Sequence, residues 1–138
     1  MTTKNEKYRA RVAKRLKEER IIWLITTRSD GMPQPSPVWF LWDGESFLIF
    51  SRPDKPKLRN IQTNPNVALH FDGDGLGGDI IIYSGIAHIE TEAPPESQLI
   101  RYLEKYQEGL ERIGMNSASF TQQYSIPIRV MPTDLRGH

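Results

Sequence analysis

Apolar residues recur along this chain with two different periods. Tyr8, Val12 and Leu16 stand four apart among lysines, arginines and glutamates, which predicts an amphipathic N-terminal helix with one apolar stripe. After Arg20 the texture changes to β-branched and aromatic runs: IIWLITT, QPSPVWFLW, FLIFS, VALHF, DIIIYSGIAHIE and the run from Ile126 to Met131. SDGMP separates the first two runs as a hairpin turn, and WDGES supplies a second turn with Asp43-Gly44 as a tight-turn pair. Six strands with short connections predict a mainly β fold, a six-stranded antiparallel β-barrel with flanking helices, since few residues remain to cover sheet edges.

A second long helix is expected to start near Pro94-Pro95. Leu99, Leu103, Tyr106, Leu110 and Ile113 follow along one face at spacings of four, three, four and three. FTQQY, with Ser117 and Ser119 as caps, adds a further helical turn. There is no internal repeat, low-complexity tract or linker, so residues 1–138 read as a single domain.

Composition removes several chemistries. With 18 basic and 17 acidic residues there is no whole-protein field for nucleic acid or an anionic membrane. Absence of cysteine excludes disulfides, thiolate nucleophiles and thiolate metal sites. The charged N-terminus lacks a signal-peptide core, and no run approaches the ~20 apolar residues of a membrane span, so a cytoplasmic setting is expected.

Candidate motifs divide sharply. GDGLGG, Gly73 to Gly78, matches G-x-G-x-x-G but is followed by the strand-like DIIIYSG, not by the helix whose N-terminus would bind a pyrophosphate. It reads as a hairpin loop. His70, His88 and His138 have no partners at metal-ligand spacing, and no G-x-S-x-G elbow is present. Taken singly, Trp23, Trp39 and Trp42 read as core.

The segment SRPDKPKLRN is more informative, because Arg52, Lys55, Lys57 and Arg59 fall close together beside a short helix expected to start near Asp54 and Pro56 and to end at Asn64-Pro65. Such a helix start, with Lys57 in its first turn and Ser51 at the preceding strand end, suits an anion, most naturally phosphate; a solvated basic loop is the alternative. The adjoining aromatic strand PVWFLW could floor a flat ring. Together they suggest a pocket for a planar phosphorylated cofactor.

The ordered set T-x-x-x-D-G-x-P-x-x-x-P-V-W-F, a strand ending in serine, K-x-R-N and N-P-x-V-x-L resembles the split-barrel flavin and deazaflavin oxidoreductases related to pyridoxamine 5'-phosphate oxidase, and more closely the PPOX-class probable F420-dependent proteins. That resemblance implies a six-stranded split barrel that dimerises, with cofactor grooves between subunits. It implies cofactor-binding roles for Pro35, Ser36, Pro37, Val38 and Trp39 along the ring and ribityl chain, for Phe50 and Ser51 near the phosphate, and for Lys57 and Asn60. Pro56 stands where flavin-using relatives commonly have arginine, which leaves Lys55 or Arg52 as substitutes. Arg129 and Arg136 of a second subunit are expected near the ring edge. The implied function is an F420-dependent oxidoreductase acting on an unsaturated small molecule. FMN-dependent chemistry of the pyridoxamine 5'-phosphate oxidase type, and a non-enzymatic carrier of flavin, deazaflavin or haem, are the alternatives. A homodimer and a small-molecule substrate are the expected partners, with no nucleic acid, membrane or metal.

Overall fold

The computed structural model describes residues 3–138. Helix α1, Lys4–Glu18, starts at Thr3, whose hydroxyl accepts the Glu6 N–H at 3.1 Å. It buries Val12 and Leu16, as the stripe predicted. The strands are β1 Ile22–Thr27, β2 Pro33–Val38, β3 Leu41–Trp42, β4 Phe47–Ser51, β5 Asn66–His70, β6 Ile81–Ile89 and β7 Ile126–Gly137. All pair antiparallel in one curled sheet of order β2-β1-β5-β6-β7-β4-β3.

Among the described residues there are seven strands, one more than the sequence pattern suggested. The run QPSPVWFLW is not one strand: it breaks at Trp39 and Phe40, where the Phe40 N–H donates to the Tyr106 hydroxyl at 2.8 Å instead of to a neighbouring strand. β7 also continues past Met131 to pair with the start of β6. That ladder carries a bulge at Ser84/Gly85, where a Cβ on Gly85 would lie 2.8 Å from the Met131 carbonyl oxygen.

The predicted second helix is two, α3 Glu96–Lys105 and α4 Gln107–Arg112, and the further turn expected at FTQQY is α5 Ser117–Gln123, opened not by Ser117 but by an Asn116 capping box with Ser119. α2 is Pro56–Thr63, close to its expected limits.

Two cores result. Alternation along β4 sends Phe47 and Ile49 into the curl of the sheet with Ile22, Leu24, Leu69, Ile128 and Val130. Leu48 and Phe50 point the other way, against Tyr102, Tyr106, Leu110 and Phe120 of the three C-terminal helices. β4 is therefore buried on both sides. The Asp72–Asp79 loop joins β5 to β6 with no helix following its glycines, and the Asp74 carboxylate closes it by accepting N–H groups of Leu76 and Gly78.

Candidate functional site

The second core does not fill the space it encloses. Between the end of β2, the end of β4, the first turn of α2 and helices α3 to α5 lies a cavity of about 210 Å³. Its walls include Pro37, Val38, Trp39, Phe50, Tyr102 and Phe120, and Lys57 is its cation. The sequence placed the aromatic strand and the basic helix start together, and the structure brings them to one cavity.

Lys57 has no carboxylate and no hydrogen-bond acceptor among the described residues. Its half-buried position lowers the ammonium pKa from the usual lysine value, with repulsion from Lys55 adding to the effect. A desolvated, unpaired cation in an apolar recess is costly unless an anion joins it. The helix start beside it is narrower than expected: Pro56 has no N–H and the Leu58 N–H donates to the Lys55 carbonyl at 3.1 Å, leaving the Lys57 N–H as the free donor. Lys55 is exposed at the N-cap, without a side-chain capping bond.

Other expected residues lie apart. Ser51 and Phe50 point to opposite faces of β4; Phe50 lines the cavity, whereas the buried Ser51 hydroxyl donates to the Arg52 carbonyl at 2.9 Å. The Asn60 amide donates to Thr26 Oγ1 at 3.0 Å and Gln34 Oε1 at 2.7 Å, clamping α2 to the β1-β2 hairpin outside the cavity. Pro35 is exposed and Ser36 half-buried on β2, neither lining the cavity. Arg52 lies over the Tyr124 ring at the cavity margin, 5.1 Å from its centroid.

Trp39 is a wall, not a free stacking surface. Its ring lies 4.3 Å from that of Tyr106 and stacks at 5.8 Å on Phe120. Tyr106 was visible in the sequence only as a helix-face residue. Its single hydroxyl proton is shared between the carbonyls of Arg20 at 2.8 Å and Phe40 at 3.0 Å, and burial drives its pKa well up, so it stays a neutral phenol.

Arg129 is committed within its own chain. Its guanidinium donates to Glu90 at 2.6 Å, Gln98 at 2.9 Å and Asp43 at 3.3 Å, and only 8% of the residue is exposed. Arg136 is exposed on β7. Trp23 gives its indole N–H to Asp72 at 3.0 Å and does not line the cavity, and Trp42 packs on Phe47. Among the described residues no cluster of three His, Cys, Asp or Glu could hold a metal ion, and no helix is long and apolar enough to cross a membrane.

The sequence pattern of pyridoxamine 5'-phosphate oxidase matches residues 8–129. The chain belongs to that family. No curated protein matches it in sequence. Among solved structures, an F420 reductase is 25% identical, with 89% of this chain and 94% of that one covered and a TM-score of 0.69. The haem-storage protein HutZ of Vibrio cholerae is 16% identical over 91% and 92% of the two chains, with a TM-score of 0.70. A FAD-binding protein of Mesorhizobium loti is 17% identical over 92% and 89%, with a TM-score of 0.65. The pyridoxamine 5'-phosphate oxidase family binds flavin or deazaflavin cofactors.

Proposed function

We propose that this protein binds coenzyme F420 in the cavity beside Lys57 and acts as an oxidoreductase toward an unsaturated small molecule. The observation that carries the reading is the Lys57 ammonium, half-buried and without an anionic partner against Val38, Trp39 and Phe50. A phosphate suits it, since a charge-assisted bond shielded from water contributes about 1.5–3 kcal/mol. Structural likeness to an F420 reductase supports the choice of ring. Bound there, the deazaflavin would supply the hydride chemistry.

The chain's own residues bind, shield and orient. Lys57 and its backbone N–H hold the phosphate; Trp39, Phe50, Tyr102 and Phe120 keep water from the ring; the Tyr106 hydroxyl fixes the break between β2 and β3 on which that wall depends. Lys55, exposed at the N-cap, and Arg52, exposed beside Tyr124 and donating to Gln123 Oε1 at 3.1 Å, stand at the surface to meet the acidic tail of the cofactor. At about 210 Å³ the cavity is smaller than the roughly 300–1,000 Å³ of a site that buries a drug-sized ligand. The proposal therefore includes a homodimer, in the cytoplasm, whose second copy completes each groove.

Family membership favours one second reading, FMN in place of F420. Parallel fluorescence titrations of apo-protein with F420 and with FMN separate them, and tighter binding of F420 is expected. Reduced cofactor should then be consumed with enones or quinones. Binding without turnover would make the protein a carrier, and no binding of either ring would contradict the assignment.

A further inference from the structure

Lys105, the last residue of α3, takes no part in the cofactor cavity. It lines a separate open groove of about 660 Å³ between α1, the β3-β4 turn and α3. Leu16, Leu41 and Trp42 give this groove apolar walls, and Lys17 and Arg101 bring two further cations to it. The Lys105 amine donates to the Phe40 carbonyl at 2.9 Å and lies 3.7 Å from the Phe40 ring centroid, with the Tyr106 ring centroid at 5.2 Å.

No carboxylate neutralises these cations. Among the described residues Lys17, Arg101 and Lys105 form no ion pair. The acids nearby are otherwise engaged or turned to water: Asp43 is held by Arg129 and Ser46, Glu19 by Arg15, and Glu104 is exposed. Burial, and then the Arg20 guanidinium, bring the Lys105 pKa down to about 8. An amine desolvated beside other cations is the environment that makes lysine a nucleophile. Holding the Phe40 carbonyl accounts for Lys105 alone and leaves the two unpaired cations of the groove without a task.

We propose that Lys105 is a covalent modification site, acylated by small acyl phosphates that Lys17 and Arg101 draw into this groove. The phosphate end meets the two cations, and the acyl end reaches the amine between apolar walls. The free amine attacks the acyl carbon and a C–N bond forms. The C–O bond to phosphate breaks, and inorganic phosphate leaves with the electron pair and takes up the proton lost from nitrogen. Acylation replaces a charged donor to the Phe40 carbonyl by an amide, next to the break between β2 and β3 that shapes the cofactor cavity.

The experiment incubates the full chain with acetyl phosphate at pH 7.5 and follows acetylation of each lysine by peptide mass spectrometry. At that pH a pKa of about 8 leaves roughly a quarter of the amine unprotonated, against about one part in a thousand for an ordinary lysine. Partial burial and lower basicity offset part of this gain, so Lys105 should react on the order of tenfold faster than the exposed Lys14. Unfolding in urea should abolish the preference. Lys17→Gln combined with Arg101→Gln, both at exposed positions, should slow acetylation of Lys105 by acetyl phosphate several-fold and leave its reaction with the uncharged para-nitrophenyl acetate unchanged. A Lys105 rate no greater than that of Lys14, or a preference that persists in urea, overturns the site. A loss shared by both donors, or no loss with either, overturns the recruitment by Lys17 and Arg101.

Discussion

The rings of Trp39 and Tyr106 lie face to face, 4.3 Å between centroids with planes 2° from parallel. This pair ties the break after β2 to the helical cover and so sets the inner wall of the cavity. Gly109, in α4, lies against the far edge of the indole: a Cβ there would stand 3.2 and 3.3 Å from two Trp39 ring carbons. With Tyr106 and Phe120 stacked on the same ring, Trp39 has little room to yield. Gly109→Ala should lower stability by about 1 kcal/mol, the overpacking cost exceeding the gain in helix propensity. Denaturant unfolding followed by tryptophan fluorescence checks it; a stabilised variant would show that the wall is soft.

Arg129 joins β7 to Glu90, to the Asp43 turn between β3 and β4, and to Gln98 on α3. Arg129→Met should cost about 3 kcal/mol at neutral pH, because Glu90 and Asp43 lose a buried partner. Burial alone would raise the Asp43 pKa, but N–H groups of Glu45 and Ser46, the Ser46 hydroxyl and Arg129 together hold it below the usual carboxylate value. A depressed carboxylate contributes stability above its unfolded pKa of about 4, and that contribution is lost as pH falls through the folded value. Acid unfolding should therefore be less steep below about pH 4 in Asp43→Asn.

Lys105 is shifted in the same direction but acts at alkaline pH. Burial, and then the Arg20 guanidinium, bring its pKa down to about 8, while its ammonium donates to the Phe40 carbonyl at 2.9 Å and lies 3.7 Å from the Phe40 ring centroid. Between about pH 8 and the usual lysine value the unfolded chain binds the proton more tightly, so this group makes stability rise with pH in that window. Lys57 acts in the same sense. Urea unfolding at pH 7.5 and 9.5 should show the rise, and Lys105→Met should reduce it. An unchanged slope would contradict the buried placement of the amine.

Local signals carried the sequence reading as far as they reach. The α1 stripe, the β1-β2 turn, the limits of α2 and the rejection of GDGLGG as a phosphate loop all rest on residues within a few positions of one another. The break at Trp39 and Phe40 was invisible because its cause is the Tyr106 hydroxyl, 66 residues away. Asn60 was expected at the ligand, yet its amide is used by Thr26 and Gln34; an asparagine side chain carries no mark in sequence of which donors will claim it. Arg129 was expected at a partner's ring for the same reason. Lys57 was legible because a basic residue after proline at a helix start has few structural tasks, and the structure gives it none.

Lys57 is the residue on which anion binding in the cavity turns. F420 titrated into wild type, Lys57→Ala and Arg59→Ala tests it directly, since Arg59 lies in a separate groove with Arg28, Asp30 and Gln34. Lys57→Ala should weaken binding by at least about tenfold, with Arg59→Ala close to wild type. Equal affinities for all three proteins would contradict the placement of an anion at Lys57.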